Sequence, residues 1–202
     1  MTEIKICGLT REEDVDAAVA MGATMLGFIH VPDTPRFSDI ARLKELLPRA
    51  AGKAKTVLVV QDLPDTQLDR LRSELNFDLF QFHGQEPEGH LARWKGYKVI
   101  HMRGGAPDPG ELARYGTPFL LDTQVRGQKG GTGKTFDWTI LPDVEGDFLV
   151  AGGLTHENVA QLITQYQPWG VDVSSGVEAS PGQKDHTKLQ QFITNARRAS
   201  AA

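Results

Sequence analysis

Short runs of β-branched and aromatic residues alternate with helical patterns along the whole 202-residue chain. Apolar residues spaced by three and four mark helices between the runs, most clearly at 11–21, 39–49, 66–75, 156–164 and 187–198. The patterns after the fourth, fifth and sixth runs are weakly helical. The strand-like runs lie at 4–7, 25–29, 56–60, 79–82, 98–102, 119–121, 148–151 and 171–173. Eight βα units in about 200 residues predict an α/β fold, a single-domain (β/α)8 barrel over residues 1–202.

The competing architecture is an open, doubly wound sheet. That fold usually carries a G-x-G-x-x-G loop after its first strand, whereas the turn here is Cys7-Gly8-Leu9-Thr10. The segment 127–135 resembles a nucleotide P-loop, but Gln128 stands where that motif needs glycine. We therefore favour the barrel and interpret 127–135 as a flexible active-site loop whose glycines permit closure over substrate.

Composition excludes several classes of partner. The formal net charge is −4, and the 22 Lys and Arg residues are dispersed, so no nucleic acid is expected. No apolar stretch reaches the roughly 20 residues that cross a bilayer, and the N-terminus lacks a signal-peptide pattern, so no membrane is expected either. One cysteine, Cys7, excludes an internal disulfide, which fits a reducing, cytoplasmic location.

Polar residues stand at the carboxyl ends of the predicted strands, where barrel enzymes carry their active sites. They are Cys7, His83, Asp122 and Asp172. Because side chains alternate along a strand, Lys5 shares the face of Cys7, and Gln81 shares the face of His83. Ile4, Ile6, Phe80, Phe82, Val171 and Val173 occupy the opposite face and should pack against the helices. The pattern predicts a polar pocket at the barrel mouth.

Glycines follow strands 7 and 8, the positions at which barrels often hold phosphate with backbone N–H groups. Gly152 and Gly153 follow the seventh strand, and Ser175 and Gly176 follow the eighth. Small residues let the backbone approach an anion closely. The sequence thus predicts a small, phosphorylated substrate.

These residues together resemble the phosphoribosylanthranilate isomerase family of tryptophan biosynthesis, and the resemblance covers nearly the whole chain. The motifs that carry it occur in the family's order: KICGLT at 5–10, GF at 27–28 with TPR at 34–36, QFHG at 81–84, LLDT at 120–123, GGTGKTFDW at 130–138, AGGL at 151–154, VDVSSGVE at 171–178 and PGQKD at 181–185. The 130–138 segment is the most specific match.

The resemblance implies an Amadori rearrangement of N-(5-phosphoribosyl)anthranilate, with Cys7 as general base and Asp122 as general acid. It implies no metal and no cofactor. An ordinary thiol is mostly protonated at pH 7 and an ordinary carboxyl is ionised, so the site must shift the pKa of both groups. Lys5, one layer below Cys7, either favours the thiolate or serves as a structural partner inside the barrel.

Three further residues have roles implied by the resemblance. Arg36 matches the family's substrate-holding arginine, and its cation could meet either the anthranilate carboxylate or the phosphate. His83 either borders the substrate or makes a structural hydrogen bond. Asp172 fits hydrogen bonding to sugar hydroxyls or support of the phosphate loop.

Two other functions stay open on the sequence. A related barrel isomerase that uses two aspartates would need aspartate at position 7, where this chain has Cys7. A non-catalytic sugar-phosphate sensor could keep the loops after strands 7 and 8 without turnover. The sequence shows no exposed apolar stripe strong enough to predict a dimer, so we expect either a monomer or a homodimer.

Overall fold

Eight parallel strands form a closed barrel in which every strand pairs with its neighbour in chain order and the eighth pairs with the first. The structure, a computed structural model, describes residues 1–102, 105–123 and 135–201. The strands are β1 (Glu3–Cys7), β2 (Met25–Ile29), β3 (Lys55–Val60), β4 (Leu79–Phe82), β5 (Gly96–Met102), β6 (Phe119–Thr123), β7 (Phe148–Val150) and β8 (Gly170–Val173). The predicted (β/α)8 barrel is confirmed, and the open doubly wound sheet is excluded.

Helices surround the barrel: α1 (Glu12–Met21), α2 (Ile40–Ala50), α3 (Asp65–Glu74), α4 (Gly89–Trp94), α5 (Pro109–Tyr115), α6 (Val159–Tyr166) and α7 (His186–Ser200). The prediction of a helix from residue 156 was wrong at its start. Asn158 accepts a hydrogen bond from the Thr155 N–H at 2.8 Å, which makes this stretch a turn, and α6 begins one residue later. In the described part of the β6–β7 connection the chain forms a 3₁₀ helix, Trp138–Asp143, which contains Pro142.

Apolar side chains form two separate clusters, one on each face of the barrel wall. The cluster between strands and helices contains Ile4, Ile6, Phe80, Phe82, Val171 and Val173, as the alternation predicted. The cluster inside the barrel contains Met25, Val57, Tyr97, Val99, Leu120, Leu149 and Ala151. Lys5, Gln81 and Asp172 are buried on the interior face as well, and the Tyr97 hydroxyl donates to Gln81 at 2.9 Å. The barrel interior is therefore apolar with a few paired polar groups.

A small hairpin follows β8 and was not predicted. Strands β9 (Glu178–Ser180) and β10 (Gln183–Lys184) pair antiparallel, and Gly182 adopts a left-handed φ of 83° in the turn. The hairpin returns the chain to β1, because the Lys184 ammonium donates to the Cys7 carbonyl at 2.7 Å. It thus closes one side of the barrel mouth.

Across the described ranges, no helix has the length and apolar character needed to cross a membrane.

Candidate active site

The predicted site residues meet at one end of the barrel, because all eight strands run parallel and end there. Cys7 is the last residue of β1, Asp122 lies one residue before the end of β6, and His83 follows β4 directly. Asp172 lies one layer deeper, in register with Lys5 of the neighbouring strand. Strands β1 and β6 are three positions apart around the barrel.

A buried ion pair forms the floor of the site. The Lys5 ammonium donates to Asp172 Oδ2 at 2.7 Å, and the lysine side chain is fully buried. Burial alone would lower the pKa of Lys5, but the charge of Asp172 and the hydrogen bond to it outweigh burial and raise the pKa. Lys5 is therefore a fixed cation with a structural partner. Asp172 Oδ1 is a buried acceptor with no partner among the described residues.

Asp122 has the electrostatics of a general acid. The pKa of its carboxyl is raised to about 7, chiefly by burial and in addition by the negative charge of Asp172. The Thr123 backbone N–H and the Lys5 cation act in the opposite direction but are weaker. The Asp122 carboxyl therefore titrates close to neutral pH, where a general acid can hold and release its proton.

Cys7 occupies a small, buried space beside β2. It is in register with Gly27, and a Cβ on that glycine would lie 2.7 Å from the Cys7 sulfur, so glycine makes room for the thiol. Burial raises the pKa of the thiol above its ordinary value of 9.0, although the cations of Lys5 and Lys184 lower it in part. Lys5 thus acts on the thiolate in the expected direction, but burial is the larger effect and the resting thiol is protonated.

Arg36 lies over the turn after β1 and is held by a carboxylate that the sequence did not single out. Its Nε and Nη2 atoms donate to Glu178 at 2.8 and 2.6 Å, in a bidentate pair. Its aliphatic stem occupies the space that a side chain at Gly8 would need. The arginine is therefore positioned at the barrel mouth, while its contact with substrate stays a prediction.

Lys184 forms hydrogen bonds to the end of β1, to the loop after β8 and to strand β9. The buried ammonium donates to the Cys7 carbonyl at 2.7 Å, to the Ser174 carbonyl at 3.1 Å and to Glu178 at 2.9 Å. Burial by itself would raise the pKa of Glu178, but the hydrogen bond from Arg36 and the charge of Lys184 lower it, so the carboxylate is ionised. This network fixes the end of β1 against the loop after β8.

His83 packs against a second histidine, His101, which lies in β5. The His101 Nε2 atom is 3.1 Å from the His83 carbonyl, and the two ring centroids are 4.9 Å apart. The pKa of His83 is lowered to about 3, chiefly by burial and in addition by the nearby charges of His101 and Lys5. His83 is therefore neutral at pH 7. It can donate or accept a hydrogen bond but cannot serve as a cation for a carboxylate.

The predicted phosphate loops contact each other. A Cβ on Gly176, after β8, would collide with the Leu154 carbonyl of the loop after β7. Gly152 and Gly153 adopt left-handed φ values of 85° and 68°. The loop after β7 is also braced by Asn158, whose amide donates to the Gly153 carbonyl at 3.0 Å.

Ser175 begins a short 3₁₀ helix, Ser175–Val177, at the end of the loop after β8. The Ser174 hydroxyl beside it is buried without a partner among the described residues. The structure thus brings the two loops together, and phosphate binding by them stays a prediction. Most of the glycine-rich segment 127–135, residues 127–134, lies outside the described residues.

Three residues of this site were missed from sequence, although each had a signal. His101 shares the inward parity of Tyr97 and Val99 at the end of its strand. Glu178 and Lys184 are charged residues six positions apart around a Pro181-Gly182 turn. Opposite charges across a tight turn indicate a possible pair, but burial of that pair follows only from the hairpin.

A partly buried acid and a buried thiol at the mouth of a (β/α)8 barrel, beside two touching glycine loops, are groups of the kind that acid–base enzymes for small anionic substrates use. Comparison with known proteins gives the family. The model of the N-(5'phosphoribosyl)anthranilate (PRA) isomerase family matches residues 4–195. The chain belongs to this family and is an isomerase.

Individual relatives are similar to this chain over nearly their full lengths. The chain is 42% identical over 200 residues to N-(5'-phosphoribosyl)anthranilate isomerase of Chromohalobacter salexigens, covering 96% of this chain and 93% of that protein. The crystal structure of phosphoribosyl anthranilate isomerase from Thermotoga maritima has a TM-score of 0.86 and 32% identity, and the match covers 98% of this chain and 100% of that one. A structure of the isomerase in complex with reduced 1-(o-carboxyphenylamino)-1-deoxyribulose 5-phosphate has a TM-score of 0.82 and 30% identity, with the same coverage.

Proposed function

We propose that this chain, as one barrel domain over residues 1–202, converts N-(5-phosphoribosyl)anthranilate to 1-(2-carboxyphenylamino)-1-deoxyribulose 5-phosphate in tryptophan biosynthesis. Asp122 is the general acid and Cys7 the general base. The observation that carries these roles is the carboxyl of Asp122, whose pKa of about 7 suits proton donation, at the same barrel mouth as a buried thiol.

Asp122 and Cys7 carry out the first two proton transfers of the reaction. Asp122 gives its proton to the furanose ring oxygen, the C1′–O bond breaks, and the nitrogen lone pair forms a protonated Schiff base. Cys7 then removes the proton from C2′, and the electrons of that C–H bond neutralise the iminium nitrogen to give an enolamine. Tautomerisation of the enolamine gives the ketone. The charges of Lys5 and Asp172 affect the pKa of both Cys7 and Asp122, so the two groups lie close to the same ion pair. This supports their action on one bound sugar.

The pKa values of the acid and the base are inverted relative to a simple acid–base pair. The carboxyl titrates near 7, while burial raises the pKa of the thiol above its ordinary value. The form with a protonated Asp122 and an ionised Cys7 is therefore a minor form at every pH. Its population rises with pH up to the pKa of Asp122, stays level to the pKa of Cys7 and falls above it. We expect kcat/KM, which reports the free enzyme, to follow this course.

Binding of the substrate is assigned to the groups around this pair. The backbone of Gly152, Gly153, Ser175 and Gly176 would hold the phosphate, since the two loops are already in contact. Arg36 would meet an anionic group of the substrate, and the free Oδ1 of Asp172 would accept a hydrogen bond from a sugar hydroxyl. His83, neutral at pH 7, would border the substrate.

The test is the loss of anthranilate-derivative fluorescence when the purified protein meets freshly made N-(5-phosphoribosyl)anthranilate. We expect rapid loss with the unmodified protein and a reduction of kcat by about a hundredfold or more in both Cys7→Ser and Asp122→Asn. Ser73→Ala, an exposed change on α3, serves as the control. Ligand binding that survives both active-site changes without turnover by the unmodified protein would point to a sensor instead.

We further propose a cytoplasmic location, supported by the single free thiol of Cys7, and a monomer or homodimer. Among the described residues, the large apolar side chains classed as exposed are Met1 and Phe37. That is little apolar surface for an obligate interface. Size-exclusion chromatography with light scattering measures the state directly.

A further inference from the structure

We propose that His83, His101 and Asp122 form a binding site for a divalent transition metal ion of the zinc class, and that the ion inhibits the enzyme. One ligand atom from each of the three side chains lies within 4.8 Å of the other two. Within the described ranges this is the one such group of three His, Cys, Asp or Glu side chains. The residues come from the ends of three consecutive strands, and His101 is directly in register with Asp122.

The histidines are arranged as metal ligands require. A carbonyl oxygen only accepts hydrogen bonds, so the His101 Nε2 atom, 3.1 Å from the His83 carbonyl, must carry the proton. In the neutral ring of His101 the Nδ1 atom then keeps its lone pair. Metal-binding histidines are commonly oriented by this kind of hydrogen bond from the other ring nitrogen to a carbonyl. The Nδ1 atom of His83 is buried and has no partner among the described residues.

The surrounding charges do not oppose a cation. Of the two lysines nearest the cluster, Lys5 is neutralised by Asp172 at 2.7 Å and Lys98 by Glu86 at 2.8 Å. Asp122 forms no ion pair with any described residue, so its charge stays available. Two imidazoles and one carboxylate suit Zn²⁺, Co²⁺ or Ni²⁺, whereas Mg²⁺ and Ca²⁺ prefer oxygen ligands.

The cluster is open to solvent, because the side chains of His83, His101 and Asp122 are each only partly buried. Three protein ligands leave coordination positions for water or for a group of the substrate.

Inhibition rests on the proposed function. A carboxylate that coordinates a metal ion cannot carry the proton that Asp122 gives to the furanose oxygen. The ion is therefore an inhibitor and not a cofactor, and it competes with the protonated form of the enzyme. Binding of the ion itself does not depend on the reaction.

The experiment is calorimetric titration of the purified protein with Zn²⁺, with Co²⁺ absorption as a second readout, and with the isomerisation rate measured in the same solutions. We expect one ion per chain in the unmodified protein. The informative variant is His101→Gln, because a glutamine amide can still donate to the His83 carbonyl but offers no imidazole Nδ1. It should weaken Zn²⁺ binding by about tenfold or more.

The matched control is His186→Gln. His186 Nε2 also contacts a single oxygen atom, Asp14 Oδ1 at 2.8 Å, but that pair supplies only two ligands. This variant should bind Zn²⁺ as the unmodified protein does, and thermal unfolding of both variants shows that they are folded. Zn²⁺ should lower the rate of the unmodified protein and of His186→Gln, each compared with its own metal-free rate, and should affect His101→Gln far less.

Equal Zn²⁺ affinity in folded His101→Gln and unmodified protein would overturn the proposed metal site. Binding at the cluster without any effect on the rate would overturn the inhibition. If the unmodified protein binds one Zn²⁺ but does not turn over N-(5-phosphoribosyl)anthranilate, the proposed function fails while the metal site stands.

Discussion

Replacing Asp122 by asparagine should remove activity and stabilise the fold above neutral pH. The carboxyl titrates at about 7 in the folded protein and near its ordinary value of 3.8 when unfolded. Between these values the folded state holds one more proton than the unfolded state, so the free energy of unfolding falls as pH rises. The interval is about three pH units at 1.36 kcal/mol each, so the full destabilisation is about 4 kcal/mol. Asparagine does not titrate, so the Asp122→Asn variant does not undergo this destabilisation.

Urea unfolding at a series of pH values from about 4 to 8.5 measures this directly. The free energy of unfolding of the unmodified protein is subtracted from that of Asp122→Asn at each pH, which cancels the contributions of the other titrating groups. The difference at the lowest pH serves as the reference value. The advantage of Asp122→Asn should grow through the window and level off above pH 7. Asp137→Asn is the control, because hydrogen bonds from Thr139 lower the pKa of that exposed carboxyl, so it is ionised through most of this range and its difference should stay nearly level. A difference for Asp122→Asn that does not change with pH would refute the burial argument.

Three further substitutions test the supporting structure. Lys5→Met should lower the free energy of unfolding, measured in urea, by about 3–5 kcal/mol, because Asp172 would be left charged and unpaired. The double variant with Asp172→Asn should recover part of this loss. Gly176→Ala should cost about 1–3 kcal/mol and raise KM, because the methyl group would push the loop away from the Leu154 carbonyl; an unchanged KM would count against a shared phosphate site. Lys184→Met should lower kcat and lower the free energy of unfolding by about 3–5 kcal/mol, since a buried carboxylate and two carbonyls lose their donor. A normal kcat with lowered stability would limit this lysine to a structural role.

Most of the fold could be predicted because the determining signals are local. Strand bounds agree with the structure to within two residues, and the inward and outward faces follow from simple alternation of side chains. The start of α6 was predicted wrongly, because the Asn158 side chain bonds to the backbone before that helix and delays it. The hairpin β9–β10 was not predicted at all.

The candidate site was predicted less completely, because its electrostatics depend on contacts between distant parts of the chain. Cys7 and Asp122 could be located from strand ends, but the raised pKa of each follows from burial, which is a property of the closed barrel. The pairing of Arg36 with Glu178 spans 142 residues, and it requires the hairpin β9–β10. Sequence spacing carries no information about such a contact.

The ion pair between Lys5 and Asp172 links the two halves of the proposed chemistry. Its lysine lowers the pKa of both Cys7 and Asp122, while its carboxylate raises both. A change that removes only the lysine charge should therefore raise both pKa values together, which favours the acid and hinders the base. The level region of the kcat/KM profile should then move to higher pH at both of its limits. A movement of one limit alone would show that the acid and the base do not share this pair, and it would separate their roles without any change at Cys7 or Asp122 themselves.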